Sequence, residues 1–313
     1  MRLPPAIAAL TVAAVAVSLL GSGSTSPASA ATAGASPQVR TGLAAENMTQ
    51  YKALSAALGG VTSRRSYQGN SAIPPSSYAT SAAGVDPSVG ATLSVASFKS
   101  DPVATARGTY DKQLASLAAT SPAGTAWAYW HEPEGPTDMP GATDNARADA
   151  FTAAAARVAT VMKKANPKVR VGVIFTISLW WKTSGHDPQR WLSTAGAGGT
   201  RVNLPIDWVG LDGYNSYGIV NGNGTTRPWN EAAAIFDQSL NWLDANRPTW
   251  GQRVTETGST ADPANPGRRA AWITNTWRYL QNRGVYSSHY WSLNAYDISA
   301  DTAAKNSLNL ATN

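Results

Sequence analysis

The feature that most restricts this chain is its alternation of strand-like and helix-like segments. Eight apolar or alternating runs read as strands: Val39–Leu43, Val61–Tyr67, Ala91–Phe98, Thr125–His131, Val169–Ile177, Ile206–Leu211, Arg253–Thr257 and Val285–Leu293. Helical stretches fall between them. Met48–Leu58 ends at Gly59-Gly60, and Tyr110, Leu114 and Leu117 recur at helical spacing. Phe151, Ala154, Ala155, Val158, Val161 and Met162 form an apolar stripe. Further helices are marked by Ile235, Phe236, Leu240 and Leu243, by Ile273, Trp277 and Leu280, and by Thr302–Leu310. Parallel neighbours need crossover connections, so this order predicts a parallel sheet, and eight units favour closure into a (β/α)8 TIM barrel. A doubly wound open sheet is the alternative. It usually opens with a glycine-rich nucleotide turn, and the first strand here is not followed by G-x-G-x-x-G.

Ahead of the barrel, Arg2, an apolar run from Ala6 to Leu20 and the triplet Ala28-Ser29-Ala30 read as an export signal with an A-x-A cleavage site. The run is about 15 residues, short of the ~20 that a spanning helix needs. The expected organisation is a signal peptide over 1–30, an Ala/Ser/Gly/Pro-rich leader over 31–38 and one catalytic domain over 39–313. Secretion follows, with no membrane association after cleavage and a monomer as the expected state. There are no cysteines, which excludes disulfides, thiolate metal sites and thiol nucleophiles. The net charge of +6 is spread over predicted helices, with Arg64-Arg65, Lys163-Lys164 and Arg268-Arg269 as the only notable pairs, so no nucleic-acid partner is expected.

In such a barrel, reactive groups sit at the C-terminal ends of strands. The chain has twelve tryptophans but only five glutamates, so a glutamate ending a strand needs a reason. Glu132 ends the fourth strand and Glu256 the seventh. Two carboxyl groups facing one pocket suit glycosidic bond cleavage: one protonates the leaving oxygen while the other attacks the anomeric carbon or activates water. The acid must keep its proton near neutral pH, which burial beside Trp127, Tyr129 or Trp130 would favour. The alternative is a buried ion pair with Arg65 or Arg253. Glu134 reads as a loop residue or secondary contact, and Asp212, on the sixth strand, as a hydrogen-bonding group or third acid.

Metal and serine chemistry have little support. The three histidines, His131, His186 and His289, show no zinc-site spacing, position 135 breaks H-E-x-x-H, and no G-x-S-x-G occurs. No cofactor or metal is expected. Indole rings suit the apolar faces of sugars. Trp242, Trp272 and Trp277 read as core. Trp180, Trp181, Trp191 and Trp229, in or near loops, and Trp291, at the last strand's end, read as substrate contacts, with Trp127 counted beside them.

The short stretches RSY (65–67), VASFK (95–99), WAYWHEPEG (127–135), DWVGLDGYN (207–215), RVTETG (253–258) and HYWSLN (289–294) resemble clan A of the glycoside hydrolases, most nearly glycoside hydrolase family 26, over nearly all of residues 39–297. The resemblance implies a retaining mechanism with Glu132 as acid/base and Glu256 as nucleophile. It implies that His131 stands beside the acid, that Tyr214 hydrogen-bonds the nucleophile, that Trp291 floors the sugar site and that Arg65 supports the nucleophile's charge. Pro133-Glu134 departs from the family's usual residues after His-Glu and is nearer the Asn-Glu-Pro of other clan A families. The implied substrate is a polysaccharide or oligosaccharide with β-linkages, β-1,4-mannan first, with β-1,3-xylan and mixed-linkage glucan as alternatives. A non-catalytic carbohydrate-binding barrel and a structural scaffold stay open.

Overall fold

The computed structural model describes residues 39–312 apart from 46, 62, 68–72, 78–92, 123–124 and 136–137. The expected export segment, leader and first residues of the third strand lie outside the described residues.

Eight parallel strands close a barrel: β1 (Arg40–Ala44), β2 (Ser63–Tyr67), β3 (Leu93–Phe98), β4 (Thr125–His131), β5 (Arg170–Thr176), β8 (Trp208–Asn215), β9 (Gly251–Ser259) and β10 (Ser287–Trp291). They run in sequence order, and β1 pairs with both β2 and β10. The fold is a (β/α)8 barrel. Two short strands, β6 (Ser193–Ala195) and β7 (Arg201–Asn203), form an antiparallel pair inside the long connection after β5. Sequence reading gives that connection no structure, because three-residue strands carry too little pattern. The turn signal is there, however: Gly198 and Gly199 both take positive φ.

Helices supply the outer layer, and their ends follow local chemistry. Helix Asp144–Ala165 is capped by the Thr143 side chain, which accepts from the Ala146 N–H. Asp144 sits in its first turn and Lys163-Lys164 in its last, each matching the helix dipole. The basic pair thus has a local role, and Lys163 also reaches Asp207 at 2.9 Å. Ala148, Phe151, Ala154, Ala155, Val158 and Met162 are buried, whereas Val161 is only partly covered. Arg269, of the third basic pair, bonds Asp301, tying helix Arg268–Asn282 to the start of helix Thr302–Thr312.

The core has two parts. The larger fills the space between strands and helices, and the smaller lies inside the barrel, where Val95, Ala126, Ala128, Ile174 and Trp208 meet. One indole fills much of that interior, so its neighbours must be small. A Cβ on Gly172 would stand 2.3 Å from Trp208 Cδ2. Among the described residues, no helix is long and apolar enough to cross a membrane.

Candidate active site

Two breaks in strand regularity set the aim of the side chains at the C-terminal mouth. Along β4, Ala126 and Ala128 face the barrel interior, while Trp127 and Tyr129 face the helices. Strict alternation would send Trp130 inward and His131 outward. Instead the register with β5 shifts between Ala128 and His131. Trp130 takes φ 67° and joins the outer core, and His131 turns to the mouth. Glu132 follows at φ 54°, its N–H donating to the Ile174 carbonyl at 3.0 Å. Left-handed backbone costs a non-glycine residue about 1–2 kcal/mol, and such strain gathers at functional sites. Along β9, Val254 faces outward and Thr255 inward against Gly210. Glu256 would by alternation point out, but a second shift, Leu211 opposite Val254 and then Asp212 opposite Glu256, brings it to the mouth. Such bulges re-aim side chains beside active sites.

Glu256 is 2% exposed and surrounded by donors. Its Oε1 accepts from the Tyr67 hydroxyl at 2.6 Å and from His131 Nε2 at 2.8 Å, with Arg65 Nη2 at 3.6 Å. Its Oε2 accepts from the Tyr214 hydroxyl. Burial alone would raise this carboxyl, but the hydrogen bond and charge of His131, the charge of Arg65 and the Tyr214 bond outweigh it, holding Glu256 down at about 2. His131 Nε2 also lies 2.9 Å from Asp212 Oδ2, so one N–H is shared between two carboxylates. Burial would lower the imidazole, yet those two hydrogen bonds push it up to about 10. Asp212 is held from its other side by the Thr255 hydroxyl at 2.5 Å.

Glu132 has the opposite environment. It is partly buried and accepts no hydrogen bond from the described residues. Desolvation, joined by the charge of Asp212 and opposed by that of His131, pushes its carboxyl up to about 8. Beside it, Glu134 is buried. Its Oε1 accepts the Thr176 N–H at 2.7 Å, tying the end of β4 to the end of β5, and burial pushes it up to about 7. The mouth thus brings together a carboxylic acid that keeps its proton and a carboxylate that stays ionised, which is how acid/base roles divide in a two-carboxylate site.

A cavity of about 550 Å³ opens from Glu132, Asp212 and Tyr214 toward Trp181, Asn221 and Arg227. The candidate metal-binding group among the described residues is His131, Glu132 and Asp212, whose ligand atoms lie within 4.8 Å of one another. A metal-bound imidazole must give up its proton at the ligating nitrogen, whereas His131 Nε2 is held protonated between two carboxylates, so the set fits a hydrogen-bonded cluster better than a cation.

Of the residues singled out in the sequence, Glu132, Glu256, Arg65, His131 and Tyr214 meet at the mouth. Trp291 stands at its edge, edge-on to Tyr67 with ring centroids 5.5 Å apart. Trp127 does not reach the mouth: it faces outward, packs on Phe98 and donates its indole N–H to Ser121 at 2.8 Å. Nor does Trp180, which is buried against Phe175 and Trp242, nor Trp191, whose indole bonds Asp144. Trp229 lies under Arg268 at 4.0 Å. Trp180 and Trp191 sit in the connection after β5, which folds them back onto the barrel. Trp181 is the exception, 47% exposed and lining the cavity. His289 packs inside the barrel against Ser63 at 2.6 Å. In the sequence Tyr67 stands out only as the end of the RSY stretch and of the second strand. Its signal was its place two residues after Arg65, on the same inward face of β2.

No protein-family model matches the chain, and no curated protein matches it. Solved structures do match the fold. A glycoside hydrolase family 5 enzyme from Prevotella bryantii B14 superposes with a TM-score of 0.56 at 12% identity, over 85% of this chain and 87% of that one. A β-1,4-D-mannanase from Cryptopygus antarcticus gives 0.53 at 13%, over 87% and 90%. An exo-β-1,4-mannosidase from Opitutaceae bacterium strain TAV5 gives 0.55 at 13%, over 88% of this chain but 59% of its own length. At these identities the likeness is one of fold.

Proposed function

We propose that this chain is a retaining glycoside hydrolase that cleaves β-linkages in a polysaccharide, with Glu132 as acid/base and Glu256 as nucleophile. The observation that carries the reading is the contrast between two carboxyls at one barrel mouth: Glu256 is ringed by Tyr67, Tyr214, His131 and Arg65, which hold it ionised, whereas Glu132 accepts no hydrogen bond from the described residues and is raised by burial. In the first step Glu256 attacks the anomeric carbon, the glycosidic C–O bond breaks, and the leaving oxygen takes the proton of Glu132. In the second, water gives its proton to Glu132 and its oxygen to the same carbon, releasing Glu256. Tyr67, Tyr214, His131 and Arg65 orient the nucleophile and keep it charged. His131 joins Glu256 to Asp212, so one side chain ties the two acidic strand ends together.

The named activities of the matching barrels, β-mannanase and β-mannosidase among them, make β-1,4-mannan the first substrate to try. Assignment to family 26 within clan A, and export to the extracellular medium, rest on the strand-end stretches and on the first thirty residues. Reducing-end release from mannan, xylan and β-glucan tests the reading, with proton NMR of the first-formed anomer reporting retention. Glu132→Gln and Glu256→Ala are each expected to lose at least about 10²-fold in kcat on the polymer. A Glu256→Ala protein hydrolysing at the unmodified rate would refute it.

A further inference from the structure

The cavity beside Glu132 carries a cation that the reaction does not use. Arg227 lies in the loop after β8, and its backbone is fixed on both sides: its N–H donates to the Ile219 carbonyl at 2.9 Å and its carbonyl accepts the Gly218 N–H at 3.0 Å. The guanidinium is steered too. Its Nε donates to Asn221 Oδ1 at 2.7 Å, the Asn221 amide donates to Thr225 Oγ1 at 3.0 Å, and the Thr225 hydroxyl donates to Asn223 at 2.7 Å. Only Nε is engaged this way. Among the described residues, no carboxylate forms an ion pair with Arg227, so both Nη groups stay available.

The surroundings do not neutralise this charge. The other ionisable groups lining the cavity with Arg227 are Glu132, Asp212 and Tyr214. Asp212 is already matched to His131 and Thr255. The lining segment after β8 runs on to Ala234 and Ile235 and so passes through Glu231, but that carboxylate accepts the Trp229 indole N–H at 2.8 Å, and the other rim segment, 177–186, contributes Lys182 and no Asp or Glu. Trp181 lines the same cavity with an exposed indole, a flat surface for a sugar ring. A guanidinium whose two Nη groups point away from its anchored Nε offers the parallel N–H pair that a carboxylate accepts.

We propose that this cavity is a subsite for a carboxylate-bearing sugar, so that the preferred glycan is acidic. The inference rests on the glycosidase reading for its place in the reaction. Glu132 lines the cavity and Glu256 does not, so the uronate-type unit lies on the leaving-group side of the scissile bond, its ring on Trp181 and its carboxylate on Arg227.

The test compares matched polymers: mannan and mixed-linkage glucan before and after partial oxidation of C6 to carboxylate, and glucuronoxylan before and after carboxyl reduction. Rates are read as reducing-end release, and binding by affinity electrophoresis with each polymer cast in the gel. Arg227 is exposed, and an ion pair at an exposed guanidinium predicts that the acidic member of a pair is favoured by about 2- to 5-fold in kcat/KM or binding. The preference should shrink in 0.5 M salt, collapse toward unity in Arg227→Ala and survive in part in Arg227→Lys. Equal handling of both members of every pair, or a preference unchanged in Arg227→Ala, overturns the proposal. Arg227-dependent retardation by an acidic polymer with no cleavage of any polymer would leave the subsite standing and remove the hydrolase reading instead.

Discussion

Replacing Glu132 by Gln should make the protein more stable, by an amount that depends on pH. The folded carboxyl is raised from 4.5 to about 8, so between those values the unfolded chain ionises at this position and the folded protein does not. Stability is therefore fully present below about pH 4.5 and drains away as pH rises toward 8. At pH 7 the gap from the ordinary value is about 2.5 pH units, which at ~1.4 kcal/mol per unit sets an upper bound of about 3.5 kcal/mol. Partial solvent contact at Glu132 and its link to Asp212 reduce this to roughly 1–3 kcal/mol. A glutamine of equal shape carries no such penalty. Urea unfolding of both proteins at intervals from pH 4.5 to 8 should give curves that separate steadily, with Glu132→Gln the more stable at the alkaline end. A constant difference across that range would mean that Glu132 titrates as an ordinary surface carboxyl, and the assignment of the acid would fall with it.

The same protonation pattern fixes the pH–rate profile: kcat/KM on the cleaved polymer should hold through mildly acidic pH and decline along an alkaline limb near 8, where Glu132 loses its proton. Glu134→Gln keeps the acceptor for Thr176 but removes a negative charge that helps raise Glu132, so the alkaline limb should move to lower pH while urea stability at pH 5 changes little. His131→Asn removes the shared cation between Asp212 and Glu256. It should cost about 3–5 kcal/mol of stability by urea unfolding and move the acidic limb upward as Glu256 becomes easier to protonate. An unmoved acidic limb would contradict the bridging role. Gly172→Ala places a Cβ 2.3 Å from the Trp208 ring and 2.5 Å from its carbonyl oxygen. Overpacking of about 1–3 kcal/mol or more should lower the thermal midpoint, and an unchanged midpoint would show that the barrel interior has slack.

Much of this molecule is written in local pattern. The barrel strands are legible because buried parallel strands read as short apolar runs, and the helix stripes because their 3.6-residue period survives in a sequence rich in alanine. The end-of-strand glutamates stand out for a simpler reason: the chain has few others. What the sequence hides is aim. The bulges at Trp130 and before Glu256 depend on pairing with β5 and β8, which no local stretch records. Trp127 and Trp180 face away from the mouth, and a tryptophan's identity does not say which side of a strand or loop it serves. His131 was legible as a neighbour of the acid but not as the proton donor joining Glu256 to Asp212, since that bond spans β4, β8 and β9.

The bulges also bear on moving this site elsewhere. An idealised barrel with unbroken alternation would accept His131 and Glu256 on its inner face only if each strand were one residue shorter. Trp130 and Thr255 thus behave as two absorbed insertions. They are not idle, because Thr255 holds Asp212 and Trp130 lies under Lys99 at 5.2 Å. A grafted version lacking them would recover the directions of the reactive groups but would need a new partner for the buried aspartate. A version that kept them would have to graft the neighbouring strands as well, so the smallest transplantable unit of this chemistry spans β4, β5, β8 and β9 together with β2, which carries Arg65 and Tyr67.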